Sequence, residues 1–164
     1  MSSKEITYQK IYEENYPKVM RLCMGYTAGN ESLAKDLVQE TFIKIWQNLD
    51  AFRNESGIGT WIYRICVNTC LAEIRRERKK ERELQIDSLQ VSDSSDNPVE
   101  KEDMLVQLYK CINKLSSTNK AIILLELEGL PQLEISEIIG IKHEAVRTRI
   151  HRIKQQLTKC VNNE

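Results

Sequence analysis

At 164 residues with 41% hydrophobic and 29% charged side chains, the sequence has the composition of a globular protein, long enough for one ordinary domain or two small helical ones. No apolar run, Ala121 to Leu125 included, approaches the about 20 residues that cross a bilayer, and Met1 to Lys10 is polar, so neither membrane insertion nor export is expected. The 24 basic and 24 acidic side chains cancel overall but not locally: residues 1–80 carry 13 and 10, residues 81–103 carry 2 and 8, and residues 104–164 carry 9 and 6, so two mildly basic blocks flank an acidic strip.

In chain order, Ile6, Ile11, Tyr12, Tyr16, Val19, Leu22, Cys23 and Tyr26 recur at helical spacing, interrupted only by Pro17, which predicts an opening helix or helix pair. A second helix is expected from about Glu31 to Leu49, capped by Asn30, with Leu33, Ala34, Leu37, Val38, Thr41, Phe42, Ile45, Trp46 and Leu49 as its apolar stripe. After Gly57-Ile58-Gly59, Thr60 can cap a third helix that buries Trp61, Ile62, Ile65, Cys66, Thr69 and Ile74 and ends in the basic run Arg75 to Lys80. From about Gln85 to Pro98 the periodicity fails in a Ser- and Asp-rich stretch that reads as a linker.

Beyond it, Met104, Leu105, Leu108, Cys111, Ile112 and Leu115 mark one helix, and Ser117 can cap another that Gly129-Leu130-Pro131 stops. Gln132 to Leu157 has the form of a helix-turn-helix: a short helix with Leu133, Ile135, Ile138 and Ile139, a turn at Gly140, and a long helix with a narrow stripe of Ile141, Val146, Ile150, Ile153 and Leu157. No segment alternates with a strand period. The fold class is therefore all-α, two small helical domains (1–80 and 104–164) joined by a flexible acidic linker (81–103).

The last helix displays Lys142, Arg147, Thr148, Arg149, His151, Arg152, Lys154 and Lys159 against Glu144 alone, chemistry suited to phosphates and base edges in the major groove. A solvated basic face is the bland alternative. The cysteines, Cys23, Cys66, Cys70, Cys111 and Cys160, are odd in number and mostly lie in apolar patterns, which favours free buried thiols in a reducing, cytoplasmic compartment. Cys66 and Cys70 can share a helix face, but His143 and His151 lie far along the chain, so no metal site and no cofactor are expected. Asp36 and Glu40, or Glu77 and Glu81 among arginines, have no converging catalytic partners, so the chain is not expected to be an enzyme. A duplex-binding activator or repressor with a dimerising or sensing first domain remains the alternative function.

The runs Asp36 to Trp46, Phe52-Arg53 and Thr60 to Thr69 resemble region two of the extracytoplasmic-function (ECF) sigma factors, and the C-terminal helix-turn-helix resembles that family's region four. The resemblance implies a subunit that binds core RNA polymerase, directs it to promoters and promotes initiation. It implies that Asp36, Gln39, Glu40, Ile43, Lys44 and Gln47 grip the clamp helices of the beta-prime subunit, while the second domain meets the beta flap. The opened minus-10 strand falls to the loop Asn54 to Thr60, in particular Asn54, Ser56, Gly57 and Ile58, together with Asn68, Arg75 and Arg76. The minus-35 element falls to Lys142, Arg147, Thr148, His151, Arg152 and Lys154. An anti-sigma factor is a further partner the resemblance leaves open. The charge pattern adds one expectation, that the acidic strip and basic blocks fold the free protein into a marginal closed state that salt opens.

Overall fold

A computed structural model of the chain describes residues 1–87 and 104–163. Its described elements are α1 (Ser3–Tyr26), α2 (Glu31–Asn48) with a 3-10 turn at Leu49–Ala51, α3 (Ile58–Asp87), α4 (Met104–Asn113), α5 (Ser117–Leu127), α6 (Gln132–Ile139) and α7 (His143–Val161). There is no strand among the described residues.

The expected helices are present, and their ends show which local signals win. α1 is one helix, not a pair: Pro17 faces solvent, where the carbonyl it leaves unpaired can be hydrated. Ser2 and Glu5 close a capping box at its start. Asn30 caps α2 by accepting from the Leu33 amide at 3.2 Å. α5 is capped by Ser116, which accepts from Asn119, one residue before the expected Ser117. α3 also begins earlier than expected. The Trp61 amide already donates to Gly57 at 3.1 Å, and Thr60 is buried inside the first turn. α3 runs unbroken to Asp87, carrying the first packet's last helix seven residues into the expected linker; the rest of that segment lies outside the described residues.

α1, α2 and α3 pack around Val19, Leu22, Cys23, Ala34, Leu37, Phe42, Ile45, Ile62 and Cys66. α4 to α7 pack around Ile112, Ile122, Ile123, Leu125, Ile135, Val146, Ile150 and Ile153. These cores are continuous. α1 lies against α4 and α5, and α3 against α5 and α6. Gly25 is the point of closest approach: a Cβ there would collide with the side chain of Leu124.

Polar contacts, the innermost of them buried, lock this contact. Lys120, only 3% exposed, donates to the Tyr26 carbonyl at 2.8 Å and to Asn113 Oδ1 at 2.7 Å. Burial holds its ammonium below the usual lysine pKa. Arg21 forks onto Glu128 at 2.8 and 2.9 Å, and the Tyr63 hydroxyl donates to the same carboxylate at 3.4 Å. Arg64 donates to the Glu137 carbonyl at 3.1 Å. Among described residues the halves are held by apolar packing, the buried Lys120 hydrogen bonds and the partly exposed Arg21–Glu128 ion pair; most of the acidic strip on which the expected charge-closed state turns lies outside the described residues.

The cysteines need a correction. Cys111 on α4 and Cys160 on α7 form a disulfide, where the sequence favoured five free thiols. The same apolar stripes that bury the thiols pack α4 against α7, bringing residues 49 positions apart to a Cα–Cα distance of 5.9 Å. Cys23, Cys66 and Cys70 are free and buried.

Candidate nucleic-acid interface

The face of α2 opposite its buried stripe carries Asp36, Gln39, Ile43 and Gln47 in solvent, with Ile43 49% exposed among polar neighbours. Glu40 and Lys44 are half-buried because α3 runs alongside. Lys44 pairs with Glu40 at 3.4 Å and donates to Thr69 Oγ1 at 3.2 Å, while Arg76 reaches Glu40 at 3.6 Å and Glu73 at 2.6 Å. The face is therefore braced by α3 through a chain of charges. Thr69 and Glu73 went unnoticed as members because their own spacing marks only a helix.

The loop before α3 holds Asn54 at a left-handed φ of 56°. Asn54, Gly57 and Ile58 are exposed and Ser56 is half-buried. Phe52 packs on Trp61 with ring centroids 4.9 Å apart, which supports the packing role expected of Trp61. These two rings, with Arg53, Glu55, Ser56 and Arg64, line a hollow of about 170 Å³. Asn68 and Arg75 are exposed further along α3. At a rise of about 1.5 Å per residue, Asn68 stands about 15 Å from the start of the helix. Loop, Asn68 and basic run thus follow one helix in sequence and do not converge on one point. Arg76, assigned to the same group, is occupied by Glu40 and Glu73.

In the second packet, Gly140 ends α6 in the left-handed conformation at φ 83°, and the Gly140 amide donates to Ser136 at 2.8 Å, giving the turn that aims α7. Val146, Ile150, Ile153 and Leu157 are the buried residues of α7, as its periodicity requires. Lys142, Arg147, Thr148, His151, Arg152 and Lys154 are all exposed. Arg147 and Arg152 make no ion pair with a described residue, whereas Lys154 pairs with Glu126 at 3.2 Å. At the other end of this packet, Met104, Leu108, Leu127, Leu157 and Val161 line an open apolar groove of about 740 Å³ between α4, α5 and α7.

Residues 11–80 match the family described as sigma-70 region 2, and residues 105–157 match sigma-70 region 4. The chain belongs to the sigma-70 family, as an ECF-type RNA polymerase sigma factor. It is 34% identical to the ECF RNA polymerase sigma-E factor of Haemophilus influenzae, over 85% of this chain and 79% of that one. It is 29% identical to the RNA polymerase sigma factor SigZ of Bacillus subtilis, over 92% and 88%. Among solved structures, the sigma factor RpoE bound to the anti-sigma factor NepR from Bartonella quintana shares the fold with a TM-score of 0.73 at 22% identity, covering 95% of this chain and 97% of that one. CnrH, solved with the cytosolic domain of CnrY, shares it with a TM-score of 0.72 at 20% identity, covering 98% and 90%. This sigma factor therefore has the all-helical, two-part layout of its family. No helix among the described residues is long and apolar enough to cross a membrane.

Proposed function

We propose that this sigma factor binds core RNA polymerase through the exposed face of α2, opens the minus-10 element with the α2–α3 loop and α3, and reads the minus-35 element with α7. It acts in the cytoplasm, where polymerase works, and through polymerase rather than as an enzyme itself. The division into a polymerase and minus-10 part, residues 1–80, and a minus-35 part, residues 104–164, is supported by family matches over residues 11–80 and 105–157.

One observation carries this reading: a helix with a buried stripe and an exposed cationic face follows a left-handed glycine turn, on a chain whose other half matches sigma region 2. An ordinary regulator would have the first feature without the second. On this reading the hollow between Phe52 and Trp61 takes an unstacked base, because aromatic walls and nearby polar groups suit a flipped nucleobase. The apolar groove between α4, α5 and α7 is the docking surface for the beta flap.

The closed packing of the halves implies a further step. α3, which carries Asn68, is tied through Arg64 and Tyr63 to the second half, so any separation of the halves on polymerase has to break these contacts. Polymerase supplies the competing contacts. An anti-sigma factor would act by holding the halves closed; RpoE, solved with the anti-sigma factor NepR, shares the fold. The test is reconstitution: the purified chain added to core polymerase should give promoter-directed initiation and co-elute with core. Specific duplex binding by the free chain, with no capture of core, would instead favour the ordinary regulator.

A further inference from the structure

Cys66 and Cys70 lie one turn apart on α3, and Cys23 faces them from α1. The Cys23 sulphur is 3.8 Å from that of Cys66 and 3.9 Å from that of Cys70, and all three sulphurs lie within 4.8 Å of one another. Each residue is at most 1% exposed. Three thiols in a core can be mere small hydrophobes. Such thiols need no polar company, and these have it. The hydroxyl of Tyr26, a residue 4% exposed, has no hydrogen-bond partner. It lies within electrostatic reach of all three sulphurs. The Lys120 ammonium stands 5.6 Å from the Tyr26 ring centre and within electrostatic reach of Cys70.

We propose that Cys23, Cys66 and Cys70 form a buried tri-thiolate site for a thiophilic divalent metal ion of the zinc type. The site goes beyond the promoter reading and does not depend on it. Three sulphurs each about 2.3 Å from a central ion stand about 3.8 to 4.0 Å apart, so α1 and α3 already hold the two measured separations a ligand set requires. Soft thiolates select ions of this class over hard ones.

Charge points to a divalent ion. Three thiolates and a divalent ion leave one negative charge, which the Lys120 ammonium offsets inside a low-dielectric core. Binding releases the thiol protons to solvent and changes no oxidation state. A cavity of about 200 Å³ at the junction of the two halves is lined by Tyr26, Asn113, Lys120, Glu77, Arg78 and Glu81, so it reaches Tyr26 but none of the three cysteines.

The test uses the full chain, stripped of metal and kept reduced with a non-chelating reductant. Titration with cobalt(II) should give one equivalent of a tetrahedral complex whose charge-transfer intensity corresponds to three thiolates, and zinc should displace it. X-ray absorption of the zinc-loaded wild-type chain should count three sulphurs at about 2.3 Å, a measurement that needs no core substitution. The Cys111→Ser/Cys160→Ser chain should behave identically, and Cys66→Ala should lose one thiolate from the cobalt spectrum. The proposal is overturned by a folded, reduced chain that gives no thiolate band. A zinc ion surrounded by nitrogen and oxygen, or a band abolished by Cys111→Ser/Cys160→Ser, overturns it equally.

Discussion

The two surfaces proposed to face DNA are built on opposite principles. On α7 the cationic side chains stand free of described partners, Lys154 excepted, on a helix whose buried stripe alone sets their direction. Along α3 and the adjoining face of α2 charged groups are braced: on α3 Arg76 is held by Glu40 and Glu73 and Arg64 by the second half of the molecule, and on α2 Lys44 is held by Glu40 and Thr69. A helix that reads duplex DNA needs only the right phase. A surface that must grip a protein and also hold melted DNA shares its charges among neighbours, so each substitution there has several consequences.

The largest effect is expected on the braced side. Ile43→Arg, combined with Gln39→Arg, should abolish capture of core polymerase, because it removes an apolar contact and adds two cations while leaving the Glu40, Lys44 and Arg76 network intact. Truncating an interface anchor costs about 2 kcal/mol or more. Circular dichroism should stay helical, and unchanged affinity for core would remove this face from the interface.

Next comes the contact that closes the molecule. Lys120→Met should cost about 1 to 3 kcal/mol of stability, since it leaves the Tyr26 carbonyl and Asn113 without their buried donor. Arg21→Ala, on a side chain 58% exposed, should cost at most about 1 kcal/mol. Small-angle scattering of the wild-type chain should stay compact as salt is raised. Opening with salt would favour the linker-charge account.

On the free side, Arg152→Ala should cost about 1 to 3 kcal/mol and relax preference at a single base pair of a minus-35 panel. Uniform weakening across the panel would make Arg152 a phosphate clamp and shift the reading face. Asn68→Ala should weaken initiation from duplex promoters by about 1 kcal/mol more than from templates already melted at minus-10. Equal losses would assign it to packing. Smallest of all, Lys159→Ala should lower the salt-dependence slope of DNA binding by about 1, and Lys154→Ala by less, because Glu126 already shares the Lys154 charge.

Much of this was legible along the chain. The stripe of α2, the Asn30 cap, the Gly140 turn and the exposed set from Lys142 to Lys154 all follow from spacings of three and four and from the freedom of glycine, which act between neighbours in sequence. The helix ends were less secure. Ser116 and Ser117 are both competent caps, and the chain ahead of Thr60 could already turn at Gly57, so one or two residues were undecided by local chemistry.

What only the tertiary structure decided lies between residues far apart. Lys120 meets Tyr26 across 94 positions, Arg21 meets Glu128 across 107, Cys111 meets Cys160 across 49, and Cys23 gathers with Cys66 and Cys70 from another helix. An amphipathic pattern states that a face is buried and not against which partner, because apolar surface is attracted to any other apolar surface without direction. The choice among partners is made by shape and by buried hydrogen bonds. Here it was made where Gly25 admits Leu124 and where Lys120 has two oxygens to meet.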